Sequence, residues 1–247
     1  MALQEELERT GNWLFRWRSF IPLALVVPMF AAMRHFEYLG HRHLYQEFWA
    51  FLCMGISFLG LAIRAAVVGQ TPYGTSGRNT WQGQVADSLN TRGVYSVVRH
   101  PLYLGNFIIW LGISLFALTW WLTVIFALLY WIYYERIMFA EEAYLRRKFG
   151  KSFDDWAART PAFLPRFSGW EKAELPFSLR NVLRREYTGF FGIVAGFFLL
   201  EVSEHVAVEH ELNFEPHWMA IFLAGLTIYL TLRTLKKHTA LLDVEGR

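Results

Sequence analysis

The sequence predicts an all-α integral membrane protein, a bundle of about six transmembrane helices. Three observations carry this. Hydrophobic residues make up 54% of the 247, mean hydropathy is +0.23, and only 18% are charged. The apolar residues gather in windows that approach the ~20 residues a helix needs to cross ~30 Å of hydrocarbon. The first candidate span is 20–33 and the second Phe48 to Val68, with Arg64 near its end. The third is Leu102 to Leu118 and the fourth Trp120 to Phe139; only Thr119 separates them, so they read as a tight helical hairpin. The fifth is Tyr187 to Val202 and the sixth Trp218 to Leu232.

Composition excludes several classes. One cysteine cannot staple a secreted domain. An aromatic share of 18% argues against disorder. A net charge of +3 is far from a nucleic-acid binder's imbalance, so no nucleic-acid partner is expected. The acidic start, with Glu5, Glu6 and Glu8, lacks the basic region of a signal peptide.

Basic residues set the expected orientation. Arg136, Arg146, Arg147, Lys148, Lys151, Arg159 and Arg166 follow the fourth span, and no Lys or Arg lies between Glu201 and Pro216. Both termini and the polar stretches 69–99 and 141–185 are therefore expected in the cytoplasm. In a bacterium the membrane would be the inner one. The expected organisation is an N-terminal segment with the first span (1–44), a core (45–170) and a C-terminal extension with two spans (171–247).

Those two polar stretches carry the chemistry. Arg99-His100-Pro101 opens the third span. Proline suits a first helical position, and the free N–H groups and dipole there favour an anionic group. Tyr103 lies a turn further on. Glu135 and Arg136 stand at the margin of the fourth span, where charges need partners. Glu142 has an i,i+4 partner in Arg146; Glu141 has none and is the better ligand candidate. Tyr144, Phe149 and Trp156 are expected to settle this amphipathic continuation against the membrane interface.

Two runs resemble one family. Leu89-Asn90-Thr91-Arg92-Gly93-Val94-Tyr95 followed by Arg99-His100-Pro101-Leu102-Tyr103-Leu104-Gly105 is similar to the L-x-T-x-G-x-Y-x-x-x-R-H-P-x-Y-x-G run of the isoprenylcysteine carboxyl methyltransferases. The wider group includes phospholipid N-methyltransferases and extended bacterial members similar to lipid A phosphate methyltransferases. Glu141-Glu142, Leu145, Phe149-Gly150, Phe153 and Trp156 resemble its E-E-x-x-L-x-x-x-F-G run, with Phe and Trp in place of two tyrosines. The resemblance covers about residues 45–166. It implies S-adenosylmethionine as methyl donor and a membrane lipid or lipidated molecule as acceptor. It also implies that Leu89, Tyr95, His100, Pro101, Leu102, Tyr103 and Glu141 line the cofactor pocket. Arg136 stands near the family's substrate arginine, offset by about one residue. Arg78 and Asn79 lie in a stretch that departs from short family members and are further substrate candidates.

An anionic acceptor, carboxylate or phosphate, needs a cation such as Arg136, Arg99 or Arg78 and no general base; an amine needs a base such as Glu135, Glu141 or His100. The abundance of arginines favours O-methylation, with Arg136, Glu135 and Arg99 as the catalytic candidates. Competing readings are an amine N-methyltransferase, an NADPH-dependent sterol-type reductase and a non-catalytic scaffold or transporter. No metal is expected. His35, His41 and His43 fit no common zinc spacing, and His205 and His210 among Glu201, Glu204, Glu209 and Glu211 read as a solvated acidic link.

Overall fold

The computed structural model describes residues 2–18, 24, 26–34, 36–72, 74, 75, 78–80 and 83–247; the side chains of 41, 78–80 and 83–85 are outside that description. Its helices are α1 (Leu3–Trp17), α2 (Val26–Met33), α3 (His43–Gln70), α4 (Pro101–Phe116), α5 (Trp120–Phe149), α6 (Lys151–Arg159), α7 (Leu179–Glu209) and α8 (Pro216–His238). Between α3 and α4 a small antiparallel hairpin pairs β1 (Arg78–Thr80) with β2 (Gly83–Val85).

Four helices, α3, α5, α7 and α8, are long and apolar enough to cross a membrane; α4 is apolar but only 16 residues. The first predicted span falls partly outside the described residues, and its described part is the eight-residue α2. The hairpin of α4 and α5 turns at Ala117–Thr119, as the lone Thr119 between two apolar runs suggests. Apolar side chains cover outward faces: Phe48, Leu52 and Leu59 on α3, Leu128, Leu129 and Ile132 on α5, and Leu223, Ile228 and Leu230 on α8 are exposed. Surface so apolar belongs against lipid rather than water.

The bundle is laid out by neighbours. α3 packs on α4 and α7, α7 on α8, and α5 on α4 and α1. The core between α3, α4 and α7 holds Cys53, Ile113, Phe116, Ile193 and Phe197. Because α3 and α4 run antiparallel, the end of α3 and the start of α4 share one end of the bundle. The start of α7 joins them there, since Ser178 N–H donates to Gly69 O at 2.8 Å. Arg247 also donates to Gly69 O and Pro176 O, drawing the C-terminus to the same end.

Two seams depend on glycine. A Cβ on Gly60 would lie 2.5 Å from Gly105 O and 2.7 Å from Ile109 N, so α3 and α4 touch backbone to backbone. Such contact is the small-residue packing typical of membrane helices. A Cβ on Gly11 would meet the Arg136 carbonyl and lie 2.8 Å from Ala140 Cβ, so α1 lies tight along α5. This helix, not foreseen from the sequence, has its own cluster: Phe15 packs with Phe126, Tyr130, Tyr134 and Ile137.

The opposite end departs from expectation. The acidic link was expected to be solvated, yet Glu201, Glu204 and His205 are 2%, 0% and 1% exposed. They belong to α7 itself, which runs on to Glu209, rather than to a loop after it. His35 and the side chain of His41 lie outside the described residues.

Gly60→Val is expected to push α3 off α4 and lower stability by about 1–3 kcal/mol, as overpacking does. A thermal melt of the detergent-solubilised protein reads this; an unchanged midpoint would contradict the close approach.

Candidate functional site

The site is built where α4 begins and α5 ends. Pro101 at the first position of α4 makes His100 its N-cap. Before it, the chain runs through a 3-10 turn at Val94–Ser96, and Gly93 makes the bend with φ +61. After α5, Gly150 turns the chain into α6, whose Phe153 and Trp156 are buried in the protein. Trp156 was expected at the membrane interface; instead its indole N–H donates to Tyr95 O at 3.0 Å.

A ladder of backbone bonds joins the two motif regions, more than 40 residues apart in sequence. Arg99 N–H donates to Pro161 O (2.9 Å), His100 N–H to Ala162 O (3.1 Å) and Arg166 N–H to Val97 O (2.9 Å). Gly93 pairs with Glu171 in an isolated bridge. A loop held this way presents its side chains from a fixed frame.

The acidic pair at the end of α5 then meets the start of α4. Glu142 Oε1 accepts from Arg99 Nε at 2.9 Å and lies 2.9 Å from His100 Nε2; its Oε2 accepts from Arg99 at 3.3 Å. Glu141 Oε2 accepts from the Tyr103 hydroxyl at 2.8 Å and lies 3.6 Å from His100 Nδ1. The Tyr103 ring stacks on His100, 5.6 Å between centroids. Tyr130 O–H closes the group by donating to Tyr103 O at 2.7 Å. Both carboxylates stand by the positive end of the α4 dipole, which favours them.

Arg99 is committed to this frame. Besides Glu142 it donates to the carbonyls of Ala157 (2.8 Å) and Thr160 (3.0 Å). Four of a guanidinium's five N–H groups are thus engaged within the protein. The helix pair expected between Glu142 and Arg146 does not form: Arg146 Nε donates to Asp154 at 2.8 Å.

Two cavities meet at this wall. The smaller is lined among others by Leu89, Asn90, Tyr95, Glu142 and Trp156. The larger runs between α4 and α7, past Tyr103, Trp110, Ile113, Gly192 and Ile193. Tyr95, Arg99, His100 and Glu141 line both. Burial, with help from the Glu141 charge, pushes the Tyr95 phenol above the usual tyrosine range, so it stays a neutral donor.

All seven residues proposed to hold a cofactor line this joint space: Leu89 the smaller cavity, Pro101, Leu102 and Tyr103 the larger, and Tyr95, His100 and Glu141 both. The catalytic candidates fare differently. Glu135 is exposed on α5 and lines neither cavity. Arg136 also lines neither; it lies in the α1–α5 seam, its Nη1 3.4 Å from Thr10 Oγ1. A one-residue step along a helix rotates a side chain by about 100°, and the α1 contact fixes that direction. Arg78 and Asn79 lie on β1, and their side chains are outside the described residues.

The structure adds three arginines the motifs did not single out. Arg18, Arg64 and Arg185 line the larger cavity. Arg64 is held by Glu186 (2.8 and 2.9 Å) and by Asn106 (2.7 Å), a bidentate pair across α3 and α7. Arg64 was visible in sequence only as a charge late in an apolar span; its partner lay 122 residues away.

Glu142→Gln breaks a largely buried, bidentate pair and is expected to cost about 3 kcal/mol, because Arg99 is left uncompensated. Chemical denaturation reads the loss, and Arg99→Lys should recover little of the bidentate geometry. A neutral effect would remove Glu142 from the frame.

Residues 49–152 match the phospholipid methyltransferase family model. A nickel-cobalt-cadmium resistance protein of Alcaligenes xylosoxydans xylosoxydans is 41% identical over 86 residues, 35% of this chain and 40% of that one. A protein-S-isoprenylcysteine O-methyltransferase of Schizosaccharomyces pombe is 36% identical over 77 residues, 31% of this chain and 33% of that one. A cobalt-zinc-cadmium resistance protein of Cupriavidus metallidurans is 36% identical over 86 residues, 35% of this chain and 39% of that one. The similarity therefore spans 40% or less of the length of these relatives. No solved structure matches the chain.

Proposed function

Because residues 49–152 of the chain match the phospholipid methyltransferase family model, we propose that it is an S-adenosylmethionine-dependent membrane methyltransferase. Its acceptor is an anionic group, carboxylate or phosphate, on a lipid or lipidated molecule. The observation that carries this reading is the shared wall of Tyr95, Arg99, His100 and Glu141 between a small polar recess and a large cavity open along membrane helices. One side suits a nucleoside, the other a lipid, and a transfer can occur only where they meet.

The residues present fit the donor. S-adenosylmethionine is a cationic, amino-bearing nucleoside whose sulfonium supplies an electrophilic methyl group when bound. Glu141, oriented by Tyr103, offers a carboxylate to positive charge. Glu142 faces the same recess but is paired with the Arg99 guanidinium, and His100 Nε2 lies 2.9 Å from it. Glu141 is then the stronger negative partner in this reading. Trp156, Phe153 and Leu89 give the recess apolar walls that keep water out.

The acceptor side follows from charge and hydrophobicity. An ionised oxygen needs no base, only alignment and a counter-charge. Arg18 and Arg185 line the larger cavity and supply it, in the place first expected of Arg136, while Arg64 beside them is already paired with Glu186. Ile109, Trp110 and Ile113 line the same cavity toward the bundle core and suit an acyl or prenyl chain. A chain left in the hydrocarbon avoids about 0.8 kcal/mol per CH₂ of exposure to water. The site end also carries Arg146, Arg147, Lys148, Lys151 and Arg159, which supports a cytoplasmic orientation for it and for both termini.

Calorimetric titration of the purified chain with S-adenosylmethionine tests the donor. Binding is expected in the parent and about tenfold weaker in Tyr103→Phe and Glu141→Gln, the worth of a charged hydrogen bond. A folded sample that binds none discards the reading. Isotope-labelled methyl transfer into membrane lipid extracts tests the acceptor. Base-labile methyl signals a carboxyl ester, stable methyl on a phosphorylated lipid a phosphate ester, and methyl on an amine headgroup overturns the anionic assignment.

A further inference from the structure

We infer that His43, Glu201, Glu204 and His205 form a binding site for one divalent transition-metal ion of the zinc class. It lies at the end of the bundle opposite the two cavities. With α3 running 28 residues from His43 to Gln70, about 40 Å separates the two ends. The site is outside the family-matched segment and independent of the proposed methyl transfer.

The spacing places three of the four ligands together. Glu201, Glu204 and His205 are three and four residues apart on α7, hence on one face. His43, the first residue of α3, faces them from the neighbouring helix; its ring and that of His205 are 5.4 Å apart. One ligand atom from each of the four lies within 4.8 Å of all the others.

Burial and hydrogen bonding point to a missing cation. Among the described residues, both oxygens of Glu201, Oε1 of Glu204 and Nδ1 of His205 are buried without a hydrogen-bond partner. No Lys or Arg pairs with either carboxylate among the described residues. Two buried, unpaired carboxylates cost several kcal/mol each unless they take up protons or something positive sits between them, and the two imidazoles beside them offer the lone pairs that a metal ion would use. The other atoms of these side chains are held from outside. Gln46 donates to Glu204 Oε2 at 3.0 Å, and Glu215 Oε1 lies 3.6 Å from His205 Nε2 and 3.5 Å from His43 Nε2. Outer carboxylates and amides that orient ligands in this way are the usual support of a metal site. Glu215 Oε2 continues to His217 at 3.3 Å, and His217 Nε2 lies 3.0 Å from Glu47. Two imidazoles with two carboxylates suit zinc, cobalt or nickel; magnesium and calcium prefer oxygen alone.

The histidine spacing in sequence misleads because it counts His35, His41 and His43 as one loop, whereas the fold brings His43 to a helix more than 150 residues later.

The test uses the full chain in detergent, without a polyhistidine tag, stripped with chelator and titrated with ZnCl₂. One zinc per chain is expected by elemental analysis, together with a higher unfolding temperature, because a ligand that binds only the folded state stabilises it. The double variant Glu201→Gln, His205→Gln should bind zinc at least tenfold more weakly and lose the zinc-dependent rise. In chelator it should melt no lower than the parent, since it removes an uncompensated charge. A merely structural hydrogen-bonded cluster would give the reverse. Visible ligand-field bands on adding CoCl₂ to the parent provide a readout that needs no variant. Zinc held equally by parent and variant, substoichiometric zinc, or cobalt without such bands overturns the site.

Discussion

The contact on which the functional end depends is the clasp of Glu142 by Arg99 and His100. It joins the first residues of one apolar helix to the last turns of the next, where both helices leave the membrane. A carboxylate at the edge of hydrocarbon is costly alone, and here it has a guanidinium and an imidazole within 2.9 Å. Arg99 then reaches across to Ala157 and Thr160, so the same side chain fastens the segment after α6. Its neighbour Glu141 accepts instead from the Tyr103 hydroxyl. Adjacent acidic residues thus take different partners according to which side of the helix end each one faces.

The C-terminal extension supplies one wall of the larger cavity. Arg185, Thr188, Gly189, Gly192 and Ile193 of α7 form one of its walls, although all lie beyond the family-matched residues. The Arg64–Glu186 pair, with Asn106, fixes α7 against α3 and α4 at that level. Small residues on α7 leave room beside α4, and bulky apolar ones close the space toward the core. α8 packs on α7 and supports this wall from behind. The N-terminal helix plays a matching part on the other flank, lying along α5 and bringing Arg18 to the cavity.

The two ends of the bundle differ in chemistry. One collects arginines around a carboxylate pair; the other buries carboxylates and imidazoles with no arginine or lysine among their described partners. The separation follows from helix length, since α3 alone holds the ends about 40 Å apart. A bundle of this kind can host independent sites at its two faces, each assembled from the termini of the same helices.

Much of this was legible in the amino-acid sequence. Apolar windows alone revealed a membrane bundle, because in hydrocarbon the backbone has little choice but helix. The Arg-His-Pro triplet and the Glu-Glu pair marked the two helix ends that meet, and the residues around them do share one space. What only the tertiary structure decided is direction and partnership. Whether Arg136 or its neighbours face a cavity depends on α1 lying against α5, and nothing local encodes that contact. Glu142 chose Arg99 over Arg146, Trp156 chose Tyr95 over lipid, and His43 met Glu201 and Glu204, because a side chain's surroundings are set by helices distant in the chain. Periodicity and composition speak of each helix singly; the pairing of charges between helices exists only once they are packed.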